Sequence, residues 1–314
     1  MKDNNVNDDS KALEPSYSAE GTVKNTVEKA GAKFQKIDAE TLKNTSQGLA
    51  TLEDAEISIY NISEKEVVVG NNKYVSERDK TNEQLRTNGK VITTVSTDKN
   101  GNAQTEKILP YGTYVAIETK ESEGYLLNEN WRVVFQVRDD GIIVDTIAES
   151  SKVTAAQEKS GWVSKVDGIP LVKTLNGASL PEEPIRRDFE FLKVNIDGDV
   201  LPYTPFLITV YDKDGNVWES HVFVVDENGW YKSADKDKTA ANVNSLDARA
   251  VDGKFVDAHG NLANPTAADS NVAIWFGEPL ARSNDKGSLL YGSYTITELR
   301  TANKIGRASC RERV

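Results

Sequence analysis

The chain has 314 residues, a formal net charge of −11 and a hydrophobic share of 38%. That length allows two or three domains of ordinary size. The acidic excess would repel phosphate backbones and argues against nucleic-acid binding, and no apolar run is long enough to cross a bilayer.

Residues 1–30 read as a linker or the end of an upstream domain. Met1 to Glu20 is polar and charged, without the apolar stretch of a signal peptide. Gly21 to Lys29 alternates valine with polar residues and reads as a closing strand. From residue 31 to 180 the pattern is strand, turn, strand. Strand candidates are Gly31 to Glu40, Asp54 to Ser63, Val91 to Thr97, Gly112 to Thr119, Trp131 to Val137 and Ile169 to Leu175. Asp98-Lys-Asn-Gly101 is a turn signal between two of them. Thr81 to Leu85 can form a short helical turn, and Glu149 to Lys165 fits a helix or an exposed insertion. Pro181-Glu-Glu-Pro184 is expected to resist both helix and ladder and to mark a boundary.

A second unit is expected over residues 185–303. Asp188 to Asp199 and Pro205 to Asp212 alternate, Asp212-Lys-Asp-Gly215 and Asp226-Glu-Asn-Gly229 are turns, and His221 to Ser233 repeats a strand–turn–strand. Lys236 to Asn271 is polar and reads as a long surface loop. Residues 304–314, KIGRASCRERV, carry the only cysteine, Cys310, and break register with everything before them. They read as translated adapter sequence; without them the net charge is −14, and the second unit is expected to lack its final strand.

The two units share wording. LPYGTYVAIETKESEGYLL (Leu109 to Leu127) and LLYGSYTITELRTAN (Leu289 to Asn303) repeat a Gly-x-Tyr…Glu strand, and each comes after a lysine-bearing strand far upstream. Internal repetition of this kind fixes architecture. Strand alternation puts Lys36 on the face of Phe34, Lys193 on the face of Phe189 and Phe191, Glu118 on that of Tyr114 and Ala116, and Glu298 on that of Tyr294 and Ile296. Charged residues are rarely buried unpaired, so a lysine and a glutamate on core-reading faces, found twice, are expected to meet.

These motifs resemble the Cna-B and SpaA-type domains of Gram-positive pilins and adhesins, over roughly Gly21 to Asn303. The resemblance implies an all-β fold: two tandem prealbumin-like, Ig-like β-sandwich domains. It also implies a spontaneous lysine–asparagine isopeptide bond, with Lys36 as nucleophile and Glu118 as catalytic acid in unit one, and Lys193 and Glu298 in the same roles in unit two. Burial would favour the neutral amine and the protonated carboxyl such an exchange requires. The expected acceptor is Asn176, with Asp145 as the alternative; Asn25 would serve an upstream domain. Unit two is expected not to cross-link as given. The competing reading of each pair is a buried salt bridge without covalent chemistry.

No cofactor or metal is expected. His221 and His259 are the only histidines and stand far apart, and the Asp-rich turns lack the loop and terminal glutamate of an EF-hand. Trp131, Trp230 and Trp275 read as packing residues rather than sugar platforms. No enzymatic turnover is expected beyond the single intramolecular step. The resemblance implies a stalk or adhesin segment, extracellular and cell-wall anchored. Its host matrix or glycan partners would engage loops or further regions, and peptidoglycan attachment would come through a sorting signal outside the segment. The rival is a carbohydrate- or matrix-binding module without a cross-link, which a cluster of exposed aromatics would favour.

Overall fold

The structure, a computed structural model, describes residues 27, 29–138, 141–146, 163–166, 169–174 and 177–303. In unit one the alternating segments form β1 (Lys33–Asp38), β2 (Glu56–Asn61), β3 (Thr93–Ser96), β4 (Asn102–Gln104), β5 (Gly112–Lys120), β6 (Arg132–Arg138), β7 (Gly141–Thr146), β8 (Val163–Val166), β9 (Ile169–Thr174) and β10 (Gly177–Glu182). They make two five-stranded sheets, ordered β7-β6-β5-β2-β3 and β8-β9-β10-β1-β4. Between the sheets lie Phe34, Ile57, Ile59, Tyr114, Ala116, Trp131, Phe135 and Leu180, all buried. Each large side chain contributes about 1.5–3 kcal/mol by leaving water. Phe34 meets Trp131 and Phe135 edge-on, so the interior next to Lys36 is aromatic and dry.

One pairing closes unit one on itself. β10 lies parallel to β1, with Leu180 opposite Lys36 and Glu182 opposite Asp38. The first and last strands of the unit are therefore neighbours. Pro181 sits in this ladder, against the expectation that Pro181 to Pro184 would resist it. The reason is local: among the described residues β9 pairs with β10 only at Ala178 and Gly177, so on the side away from β1 Pro181 faces no strand that would need its missing N–H.

The helical turn is a seven-residue helix, α1 (Asn82–Asn88), opened by a reciprocal capping box between Thr81 and Gln84. It lies between the first lysine strand and the first tyrosine strand but outside the sandwich. Its Leu85 packs on the outer face of the sheet with Tyr60, Val115 and Ile117.

Unit two repeats the plan with β11 (Glu190–Leu192), β12 (Pro205–Tyr211), β13 (Val217–Val224), β14 (Trp230–Lys232) and β15 (Tyr294–Glu298). β13-β12-β15 form one sheet and β11-β14 the other. Phe189, Phe206, Phe223, Tyr231, Phe276 and Tyr294 fill the space between them. Trp131 and Trp275 are buried packing residues, as their sequence context implied. The polar stretch Lys236 to Asn271 is more than a surface loop. Its Leu246 and Phe255 are buried with Val272 against Val222 and Val224, on the outer face of β13. A few apolar residues scattered in a polar segment suffice to dock it, and it covers unit two where α1 covers unit one.

The Asp-rich signals are turns. Asp212 Oδ1 accepts from the N–H groups of Asp214 and Asn216 at 2.9 and 2.8 Å, and Asp98, Asp226 and Asp257 repeat the geometry. These backbone donors hold the Asp212 and Asp257 carboxyls below the usual range. Two of the turn glycines are tied to the lysines. Gly101 and Gly229 both have φ +75°, and a Cβ at either would run into the backbone carbonyl of Lys36 or Lys193.

The units meet through a buried polar junction. Arg186 donates to both Glu40 oxygens at 2.8 Å, the side chains being 5% and 2% exposed. Its guanidinium lies 4.0 Å from the centre of the Trp275 ring. Gln47, from unit one, accepts from Glu278 N–H at 3.1 Å. Burial alone would raise the Glu40 carboxyl, but the Arg186 fork holds it below the usual range.

Candidate functional site: a buried amine between two carboxyls

Both lysines are placed by the same backbone device. Lys36 N–H donates to Gly101 O at 2.7 Å, and Lys193 N–H to Gly229 O at 2.8 Å. Both facing tyrosines are placed likewise. Tyr114 OH donates to Pro110 O at 2.6 Å and Tyr294 OH to Leu290 O at 2.7 Å, each four residues back. This fixes the start of the Gly-x-Tyr strand, and alternation then carries its glutamate inward. The repeated wording therefore has a structural cause in both units.

In unit one Lys36 and Glu118 are both fully buried, with Nζ 3.9 Å from Glu118 Oε1. Nζ also donates to Ser122 Oγ at 2.5 Å, and Ser122 in turn donates to Thr51 O at 2.6 Å. The Tyr125 ring centre lies 4.9 Å away. The direct ionic partner of Nζ is Glu182, also fully buried, at the end of β10. Among the described residues the polar partners of Nζ are thus Ser122, Glu182 and Glu118, and none is an asparagine or aspartate.

The two carboxyls are held differently. Glu118 Oε2 accepts from Asn128 N–H at 2.6 Å, and Asn128 Nδ2 donates to Pro181 O at 2.7 Å, so one asparagine anchors Glu118 and the strand bearing Glu182. Trp131 Nε1 adds a 2.7 Å bond to Ser179 O on that strand. Glu118 Oε1 and both Glu182 oxygens accept no conventional hydrogen bond, so Lys36 and the shared proton between the carboxyls must satisfy them. Burial pushes both carboxyls up. Glu182 goes well above the ordinary range because Glu118 lies beside it as well. One ammonium faces two carboxyls in a dry interior, so the second carboxyl keeps its proton. Next to this trio Asp38 is also buried and raised, and accepts from Tyr125 OH at 2.8 Å.

In unit two Lys193 Nζ meets Glu298 Oε2 at 2.8 Å, but the side chains are 15% and 11% exposed. Asn176 and Asn25 lie outside the described residues. Asp145 falls on β7, the edge strand of the sheet, with β6 between it and the strand of Glu118. Sequence reading missed Glu182, Ser122 and Asn128. Glu182 was hidden by its neighbours, since Pro181-Glu-Glu-Pro184 looks like a linker; the signal available was the alternation Leu180, Glu182 behind a buried leucine.

A separate buried group occurs in unit two. His221 is bonded at 2.8 Å by Asp247 and 2.8 Å by Glu219. Burial alone would lower it, but the two carboxylates push it up to about 9. Asp247 belongs to the docked stretch 236–271, so this imidazolium pins that stretch to β13. No group of three or more His, Cys, Asp or Glu side chains suited to a metal ion occurs among the described residues.

Residues 32–151 match the SpaA family, described as a prealbumin-like fold domain. No curated protein matches the chain. Among solved structures, the chain is similar to the Bacillus anthracis TIE protein at 17% identity, covering 91% of this chain and 30% of that one, with a TM-score of 0.41. It is similar to a streptococcal ancillary pilin at 14% identity over 93% of this chain and 60% of that one, TM-score 0.28. It is similar to the pilus adhesin SpaC of Lactobacillus rhamnosus GG at 11% identity over 89% and 25%, TM-score 0.36. The chain thus spans about a third of the length of the first of these and a quarter of the last.

Proposed function

We propose that this chain is a load-bearing segment of an extracellular bacterial surface protein, a stalk that spaces an adhesive region from the cell. The observation that carries the reading is the adjacency of β1 and β10, parallel and bridged by the buried Lys36–Glu182 contact. Tension enters unit one at the start of its first strand and leaves at the end of its last. In two parallel neighbours those points lie at opposite ends of the ladder. Pulling therefore shears all its hydrogen bonds together instead of unzipping them singly, and a bridge across the pair diverts the load from the sandwich. The SpaA match over residues 32–151 and the cysteine-poor composition, which leaves no disulfide to do this, support the same reading. An isopeptide at Lys36, with Glu118 as proton carrier, would make the bridge covalent. Unit two would carry its ion pair only. Attachment to peptidoglycan and a host matrix or glycan ligand are proposals for the whole protein.

Pulling the full chain in a force spectrometer tests this. Unit one is expected to resist extension at forces that unfold unit two. Extension of both at one low force would overturn the reading. The binding-module alternative gains no exposed aromatic cluster: Tyr111 and Trp218, the large aromatics most exposed among the described residues, stand in different units.

A further inference from the structure

We propose that the acceptor of the bridge is Glu182, and that Lys36 and Glu182 condense to an amide with release of water. This rests on the load-bearing reading of the same site and names its chemistry. An asparagine acceptor would lose ammonia instead. Three observations select Glu182. Its carboxyl is the direct partner of Lys36 Nζ, whereas Glu118 Oε1 stands 3.9 Å off. Glu118 is tethered by Asn128 N–H through Oε2, while neither Glu182 oxygen accepts from a backbone or hydroxyl donor, so the Glu182 carboxyl carbon is free to be attacked. Finally, Glu182 lies one ladder from Lys36 on the adjacent strand, diagonal to it on the same face, so a bond there crosses the shear plane without distorting either sheet.

The step balances within the trio. A proton passes from the Lys36 ammonium to the carboxyl pair, leaving a neutral amine and a protonated Glu182. The amine lone pair attacks the Glu182 carboxyl carbon. With both carboxyls then protonated, Glu118 gives its proton to the departing Glu182 hydroxyl, which leaves as water, and takes the second amine proton in its place, so that it ends protonated as it was before the attack. Bond making is C–N and bond breaking C–O, with no oxidant or cofactor. Amide formation from amine and acid is unfavourable in dilute water. Here the reactants are held together, where effective molarities reach roughly 10⁵–10⁸ M. The product is a neutral amide in place of two buried charges, so the desolvation that opposes the ion pair favours condensation. Ser122 Oγ, 2.5 Å from Nζ, orients the amine, and Phe34, Trp131 and Tyr125 keep water from reversing the step.

Intact mass and peptide mapping of the full chain decide the matter. The expected result is a chain lighter by one water, about 18 Da, with the peptide bearing Lys36 joined to the peptide bearing Glu182. E118Q should fold, judged by near-ultraviolet circular dichroism, yet keep its full mass. E182Q should lose ammonia and reach the same linked mass as the unsubstituted chain, which shows the carboxyl carbon at this position to be the one attacked. A full mass for the folded unsubstituted chain overturns the condensation and leaves the load-bearing reading to its own force measurement. A linked peptide bearing Asn176, with about 17 Da lost, overturns Glu182 as acceptor while sparing the covalent bridge. Linkage to Glu118 or Asp145 overturns it in the same way.

Discussion

Lys36 and Lys193 begin from the same instructions and end in different surroundings. Each is hung from a turn glycine carbonyl and each faces the glutamate of a Gly-x-Tyr strand. Yet the Lys36 side chain is fully buried and that of Lys193 is 15% exposed. The difference is one strand. β1 has β4 on one side and β10 on the other, whereas among the described residues β11 pairs only with β14. Leu192, Val194 and Ile196, on and after β11, are correspondingly exposed. The amine–glutamate pair therefore does not create its own dry environment. The last strand does, and it also supplies the second carboxyl that makes the ion pair a trio.

The largest expected effect tests that contrast directly. Lys36→Met removes the bridge, whether ion pair or amide, leaves Glu118 and Glu182 buried without their partner, and should cost unit one roughly 3–5 kcal/mol, as removal of one member of a buried pair does. Lys193→Met should cost unit two less, about 1–2 kcal/mol, because Lys193 and Glu298 keep 15% and 11% of their side chains in solvent and the partner left behind is only partly desolvated. Hydrogen exchange read by mass spectrometry in rising urea resolves the two units. Equal losses would break the comparison and show that β10 adds nothing to the coupling.

Next in size is the junction. Arg186→Ala strands the Glu40 carboxylate in a buried contact and should weaken the interface by about 3 kcal/mol. The side chain also donates to Phe276 O at 3.0 Å, so a local loss of protection next to residue 276 is expected with it. The expected outcome in small-angle scattering is a broadened distribution of unit–unit distances, with the exchange protection of β1 and β12 unchanged. If β1 loses protection with the junction, unit one depends on unit two for stability and the units cannot be compared as separate bodies.

How much of this was legible in the sequence depends on the range of each constraint. Alternation is local, so the strands, the inward Lys36 and Glu118 and the pairing of Lys193 with Glu298 could be read from Phe34, Tyr114, Phe191 and Tyr294 alone. The Asx-type turns were legible for the same reason. Glu182 was not, because its role depends on β10 crossing the whole unit to lie parallel to β1, a contact between residues about 146 positions apart. Proline at 181 then argued locally against the strand that the missing neighbour on that side makes acceptable. The stretch 236–271 misled in the opposite direction: its composition is polar, and only the positions of Leu246 and Phe255, unpatterned in sequence, reveal a docked surface. Helix α1 carried its own signal in Thr81 and Gln84, three apart.

A pH titration separates the units through His221, since both histidines of the chain lie in unit two. The folded imidazole titrates at about 9 against 6.5 for the free side chain. A raised folded value means that the contribution is fully present below about 6.5 and is lost as pH rises through about 9. Unit two should accordingly lose protection between pH 7 and 10, first in the stretch around Asp247 and the facing part of β13, while the protection of α1 and β2 stays level. Loss that begins in unit one would remove His221 as the cause. The same titration of His221→Gln should be flat, because a neutral amide keeps hydrogen-bonding capacity without the charge that titrates.

The smallest effect concerns the two covers, α1 over unit one and the docked stretch over unit two. Thr81→Ala removes one half of the capping box and should cost about 1 kcal/mol, a typical value for an N-cap. Because α1 packs on the outer face through Leu85, while Lys36, Glu118 and Glu182 lie on the inner one, the loss should show as faster exchange over residues 82–88. The loss of one water should persist against the substituted chain's own calculated mass. Arg86 links the helix to the site, since its Nε donates to Glu118 O at 2.8 Å and its Nη2 to Asn128 O at 3.2 Å. Both bonds are to backbone carbonyls, and Glu118 is also paired by Ile57 of β2, so fraying of α1 should leave the carboxyl where it is. A Thr81→Ala chain that recovered the mass of the uncondensed form would show instead that the cover helps to hold Glu118 in place. In that case the outer faces of the two units, and not only their last strands, would have to enter the comparison.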